Sequence, residues 1–324
     1  MAGKRQHYIP RFLQSGFLDD PDHKAKRTWL HRRNTPALLV ATKDIGVSES
    51  FYSKIQGDGA KTLDDIITEI EVDILHEFSS FKNTREGEAV DSKVAARLTV
   101  HLVLRTAHLR SLLEQGAVKS FDAAMPIITD SDVIRRHINL DDSGGSAELK
   151  KMIDEALCTL NVEELPMPAP LLRRMLEFRV RENFENFFEE QNSTITQVLK
   201  DLFLPVREQI RDAHNKILEA TKQTVWEDEL SKLSWCVQEV VGAVLPDCVA
   251  LARVAGKELS PLLLNGTKNI DLVVFPISHN RLLIGRADNF DSIDIKAINI
   301  ASAICSDSFL FPVDTKMEVS FPNI

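Results

Sequence analysis

The chain has 324 residues, 44% hydrophobic and 27% charged, with a formal net charge of −9. This is enough apolar content for a large core, as one big domain or two small ones. No run approaches the roughly 20 uncharged apolar residues of a membrane span. The acidic balance argues against a general nucleic-acid coat, and no apolar segment follows the basic start as a secretion signal requires. Cys158, Cys236, Cys248 and Cys305 are far apart, with no C-x-x-C pair. They read as small buried hydrophobes in a reducing cytoplasm rather than as a disulfide or zinc framework.

In chain order, the first dense signal is Lys4 to Phe17, where His7, Tyr8, Pro10, Arg11 and several large apolar residues follow one another. Such a composition needs burial, so the N-terminus is expected to be built into the fold. Lys4, Arg5, Arg11, Lys24, Lys26, Arg27, Arg32 and Arg33 outnumber Asp19, Asp20 and Asp22, giving a locally basic segment on an acidic chain. Such a segment would suit a phosphate-bearing ligand, but a strand edge guarded by charge is the simpler reading. Thr28–Arg33 and Ala37–Thr42, joined by Asn34-Thr35-Pro36, predict a hairpin.

Helices then dominate. Leu63, Ile66, Ile67, Ile70, Ile74 and Phe78 recur at helical spacing, and a second long helix is predicted over Asp91–Gln115. Asp141–Gly145 reads as a loop; Leu171–Gln191 and Pro205–Thr221 read as further helices. From Leu233 the runs shorten. Trp235–Val241, Leu245–Val254, Asp271–Pro276 and Arg281–Ile284 predict strands, and Ser292–Cys305 a closing helix. The fold class expected is α+β, a helical middle (58–230) between an N-terminal motif and hairpin (1–57) and C-terminal strands with a closing helix (231–324). The simplest arrangement pairs the hairpin with the C-terminal strands in one small, mainly antiparallel sheet, making 1–324 a single discontinuous domain.

Within the second helix, Arg105 sits on the apolar stripe of Val94, Leu98, Leu102, Leu109 and Leu112, with His101 and His108 along the same edge. A guanidinium there needs a carboxylate or an anionic ligand. Two readings stand: a buried ion pair bracing the core, or an anion clamp of bidentate geometry. Asp247, before an apolar strand, is a candidate partner for Arg105 or Arg11, or else a solvated turn residue. Ser278, His279 and Arg281 occupy a hairpin tip, a place where functional side chains are often held. P-loop, dinucleotide, nucleophile-elbow and zincin motifs are absent, and no metal ligand set or cofactor is assigned.

On these residues the chain resembles a bacterial family of domains of unknown function, DUF 4238. Gln6-His7-Tyr8-Ile9-Pro10-Arg11-Phe12 with Phe17 is similar to its opening H-Y-V/I-P-x-F/L signature. Thr28-Trp29-Leu30-His31 and Glu49-Ser50-Phe51-Tyr52 resemble its aromatic hairpin region, and Leu104-Arg105-Thr106 its R-T-P motif. Phe275-Pro276-Ile277-Ser278 resembles its F-P-L-S strand end, and Ile298-Asn299 its closing helix. Two departures stand out: Ala107 replaces the proline of R-T-P, and Leu245-Pro246-Asp247-Cys248 replaces the usual S-D-N-P. The resemblance implies a single domain and draws attention to His7, Arg11, Arg105 and Asp247, but it brings no established activity.

The expected function is a phosphate-directed hydrolase, nuclease-like and of a defence or toxin kind. His7 and Asp247 would be its catalytic pair, with Arg11, Arg105, His101 and His108 binding the ligand. Its partner would be a phosphate-containing small molecule or nucleic acid, with no membrane, in the cytoplasm. The alternative is a non-catalytic anion- or partner-binding protein in which the buried Arg, Asp and His are structural.

Overall fold

The computed structural model describes residues 5–32, 35–49, 51–52, 62–140, 147–159, 167–219, 225–287 and 294–311. The first part of the chain forms β1 (Arg5–His7), α1 (Arg11–Gln14), β2 (Arg27–Arg32), β3 (Thr35–Ala41) and β4 (Val47–Glu49). Helices follow: α2 (Leu63–Asn83), α3 (Ser92–Leu104), α4 (Ala107–Ile128), α5 (Ser131–His137) and α6 (Ala147–Thr159). They continue with α7 (Ala169–Phe203), α8 (Val206–Glu219) and α9 (Val225–Leu230). The last part holds β5 (Ser234–Glu239), β6 (Leu245–Pro246), β7 (Leu251–Val254) and β8 (Ser260–Pro261). It ends with β9 (Ile270–Ser278), β10 (Arg281–Arg286), α10 (Ile295–Ile304) and β11 (Ser308–Phe311). The α+β class is as the sequence predicts. Two compact units divide the chain, Met1–Leu113 with Ile210–Ile324, and Glu114–Gln209.

In the first unit, the expected single sheet is, among the described residues, three antiparallel sheets. A pair joins β1 to β4, a five-stranded sheet runs β5-β10-β9-β7-β8, and a four-stranded one runs β3-β2-β11-β6. The hairpin does meet the C-terminal end, since Trp29 and Leu30 of β2 face Phe311 and Leu310 of β11. Its partner, however, is not the main C-terminal sheet. The cause lies in Leu245–Val254, which is not one strand. Val249 takes a left-handed φ of 69°, unusual for a β-branched residue, so the chain turns between β6 and β7 and each half enters a different sheet.

The principal core joins both chain ends to the helices. Ile9, Leu13, Phe17 and Leu30 are buried with Ile74, Phe78, Leu98 and Leu102, and with Val273, Phe275 and Leu283. α2 starts in a capping box, in which Thr62 accepts from the Asp65 amide while the Asp65 carboxylate accepts from the Thr62 amide. α3 starts at Asp91, whose carboxylate accepts from the amides of Lys93 and Val94.

The helix predicted over Asp91–Gln115 is two helices, α3 and α4. Arg105 closes the first, and the Thr106 hydroxyl donates to the Val103 carbonyl while accepting from the Leu109 amide, 3.2 Å away. That is an N-cap for α4, and it places Arg105 in a junction instead of mid-helix. Among the cysteines Cys248 alone is buried, Cys236 and Cys305 being half-buried and Cys158 exposed, so burial does not hold for all four.

The second unit is helical. α7 runs 35 residues from its Pro168 cap, past the predicted end at Gln191. Leu140, Ile153, Phe184 and Phe188 form a small core of their own. Phe121 stacks on Phe203 with ring centroids 4.2 Å apart. The predicted loop 141–145 lies outside the described residues, as do 292–293 of the closing helix, 33–34 of the hairpin and 220–221 of the helix after Pro205.

Candidate functional site

Arg105 is 2% exposed, and each of its three guanidinium nitrogens meets a partner within the protein. Its Nη1 donates to Glu71 Oε1, its Nε to the Tyr52 hydroxyl at 3.3 Å and its Nη2 to the His7 carbonyl at 2.5 Å. The Tyr52 hydroxyl in turn donates to the Arg105 carbonyl at 3.1 Å. Its backbone amide donates to Gln6 Oε1 at 2.6 Å, drawing β1 to the same point. Here α2, the α3–α4 junction and the N-terminal motif are tied together. The carboxylate that meets Arg105 is Glu71 and not Asp247. Nothing in the sequence distinguishes Glu71 from the neighbouring acids Glu69 and Asp73 of the same helix.

A second buried cluster lies beside it. Arg110 Nη1 donates to the Phe51 carbonyl at 3.0 Å, with the guanidinium 3.8 Å from the Phe51 ring centroid. Its Nε donates to His214 Nδ1 at 3.2 Å, and His214 Nε2 donates to the Leu104 carbonyl at 2.6 Å. His214 is thereby held neutral. Burial, with the Arg110 charge, lowers its pKa to about 4 against the Leu104 bond, which raises it.

Asp247 occupies the turn after β6. Its Oδ2 accepts from the Ser308 amide at 2.8 Å, the Asp307 amide at 3.1 Å and the Ser308 hydroxyl at 3.3 Å. The other oxygen, Oδ1, lies 3.3 Å from His108 Nδ1, with both side chains about nine-tenths buried. The pair is close but not aligned as a hydrogen bond, so Oδ1 and both His108 nitrogens are buried without one. Asp247 also lines a small cavity of about 80 Å³ with Tyr8, Arg32 and Ser308. Burial raises the Tyr8 pKa, the charge of Asp247 raises it further, and Arg32 opposes them. Tyr8 is therefore a phenol able to donate.

The remaining expected residues are dispersed. His7 meets Arg105 through its carbonyl, while its ring Nδ1 is buried without a hydrogen bond. Burial lowers the His7 pKa, and the charges of Arg11, Arg105 and Arg5 add to this against a bond to Ile45. His101 lies on α3, separated by the junction from His108 on α4. Burial and the charges of Arg105 and Arg97 push its pKa down to about 3. Arg11 is exposed and lines a separate cleft with Phe12 and Lys26. Among the described residues, no group of three His, Cys, Asp or Glu is placed to hold a metal ion, and no helix is long and apolar enough to cross a membrane.

Comparison with known protein families, with curated proteins and with solved structures finds no match.

Proposed function

We propose that this chain is a phosphate-directed hydrolase whose acid–base pair is His108–Asp247, beside the Tyr8 cavity. The observation that carries this reading is the buried pair itself. A carboxylate fixed through one oxygen by Ser308 and Asp307 presents the other to His108 Nδ1. A small turn of the ring that aligned this contact as a hydrogen bond would let the carboxylate orient the imidazole and leave Nε2 as the base. His108 would take a proton from water as the oxygen attacks phosphorus and return it to the alkoxide as the P–O ester bond breaks, so that the alcohol leaves. Tyr8 and Arg32, which line the cavity with Asp247, supply a neutral donor and a cation for the phosphoryl oxygens. This reading moves catalysis from His7 to His108 and keeps Asp247 as the orienting group.

The non-catalytic alternative is favoured by one observation: all three nitrogens of Arg105 are engaged within the protein. The test is turnover of a phosphomonoester, a phosphodiester and short RNA and DNA by wild type, His108→Asn and Asp247→Asn, each checked for a folded melt. Removing the base is expected to lower the rate about 100-fold or more. No turnover by wild type, or His108→Asn acting as wild type, would leave the binding reading in place.

A further inference from the structure

The hairpin tip at Ser278–Arg281, which plays no part in the His108 site, faces the N-terminal motif. His279 donates its backbone amide to the Gly16 carbonyl at 2.9 Å, and its ring Nδ1 donates to the same oxygen at 3.1 Å. A Cβ on Gly16 would stand 2.7 Å from the Ile277 carbonyl oxygen, so glycine is what permits the approach. Between tip and motif lies a cleft of about 260 Å³ lined by Lys82, His279 and Arg281. Ser15 and Leu18 also wall a second cleft, of about 450 Å³, whose cations are Arg11 and Lys26. The two clefts adjoin across Ser15 and Leu18, and we treat them together as one groove. No carboxylate is among the described residues lining either part.

Each part holds one cation that the protein braces and one that it does not. Arg281 is braced, donating to the Thr84 carbonyl at 2.6 Å and to Glu239 at 2.7 Å, and Lys26 donates to the Pro21 carbonyl. Lys82 and Arg11 are different. The Lys82 ammonium is half-buried and sits 4.8 Å from the Phe78 ring centroid, its one interaction among the described residues. Burial lowers its pKa. Neither Lys82 nor Arg11 has a hydrogen bond or ion pair among the described residues. A partly desolvated ammonium without a counter-ion is costly unless an anion joins it. Arg11, Lys26, Lys82 and His279 gather here with no ion pair to a carboxylate among the described residues, beside an Arg281 paired with Glu239, and in a chain of net charge −9 this concentrates anion affinity.

From this we infer that the groove binds a small ligand carrying two linked phosphates. One phosphate is held by Lys82, His279 and Arg281, the other by Arg11 and Lys26. The acidic net charge and the pocket-like scale favour a compact ligand over a long polyanion, whose further phosphates would meet an acidic chain. The site is independent of catalysis at His108.

The test is calorimetric titration of the full chain with inorganic pyrophosphate, orthophosphate and short single-stranded DNA. The variants are Lys82→Met and Arg11→Met, which remove the charge and keep an apolar stem, and His108→Asn, with melts to confirm folding. Wild type is expected to bind pyrophosphate saturably and more tightly than orthophosphate. Each cleft variant should lose about tenfold or more in affinity, the scale of one charge-assisted contact, and His108→Asn should bind as wild type. No saturable pyrophosphate binding, or wild-type affinity in both cleft variants, overturns the site. Equal affinity for orthophosphate overturns the two-phosphate assignment, and tighter binding of DNA overturns the small-ligand one. Pyrophosphate binding without any hydrolytic activity would support the groove while sinking the hydrolase reading.

Discussion

Arg105 shows why one residue can be conspicuous in a sequence and still leave its role open. Its place on an apolar stripe requires a counter-charge but cannot say whether protein or ligand supplies it. Glu71, Tyr52 and the His7 carbonyl supply it from within the protein. Arg105→Ala would leave the Glu71 charge without its partner, and buried pairs broken in this way cost about 3 kcal/mol or more. Glu71 retains some exposure, which places the expected loss at about 2–3 kcal/mol, read as a lower denaturant midpoint; lysine should restore part of it but not the three-way contact. A wild-type midpoint in Arg105→Ala would refute the tether. His101 and His214 make an acid-side prediction. Their folded pKa values of about 3 and about 4 lie below the ordinary 6.5, so the unfolded chain binds more protons in between. Stability is then fully present above about pH 6.5 and declines as pH falls through that window, by up to about 1.4 kcal/mol per unit for each ring. Melts taken between pH 7 and 4 should show the decline, and His101→Phe should flatten it; a flat profile in the wild type would rule out both buried neutral rings.

At the scale of elements, the junction between α3 and α4 was hidden by continuity of pattern. Apolar residues keep helical spacing across Arg105-Thr106, and periodicity alone registers no break there. The signal present was Thr106, a side chain that caps helices as readily as it sits in them. With Thr106 as the cap, Ala107 is the first helical residue, a position whose amide needs no helical acceptor and where proline is well tolerated. Alanine at this position is therefore compatible with the junction's architecture. Ala107→Pro is expected to change stability by less than about 1 kcal/mol, whereas proline two turns further on should break α4. An unfolded Ala107→Pro variant would show that Thr106 is not the cap. The split of Leu245–Val254 has the same origin, since an apolar run carries no mark of which sheet each half joins.

For the whole molecule, the N-terminal motif is structural as well as chemical. Ile9, Leu13, Phe17 and Leu30 are all within the principal core, and β2 is the partner of β11. Deleting residues 1–40 is expected to abolish cooperative unfolding of the first unit, seen as loss of a sharp near-ultraviolet melt. A truncated chain that kept it would mean the core closes without its N-terminus. The Lys82 end of α2 and the hairpin tip at Ser278–Arg281 are some 200 residues apart in sequence (197 between Lys82's near neighbour Thr84 and Arg281), yet Arg281 donates to Thr84.

By itself the sequence determined the α+β class, the long helices and the burial of the N-terminal motif, because spacing and composition fix which faces must leave water. It also marked Arg105, His108 and Asp247 as chemically notable. Only the tertiary structure decided the partners: Glu71 for Arg105, Asp247 for His108, and Lys82 beside His279 and Arg281. It also divided the strands among three sheets. The physical reason is common to all of these. Local propensity and burial are properties of neighbouring residues, whereas a charge's partner and a strand's neighbour are chosen by long-range packing among many near-equivalent candidates.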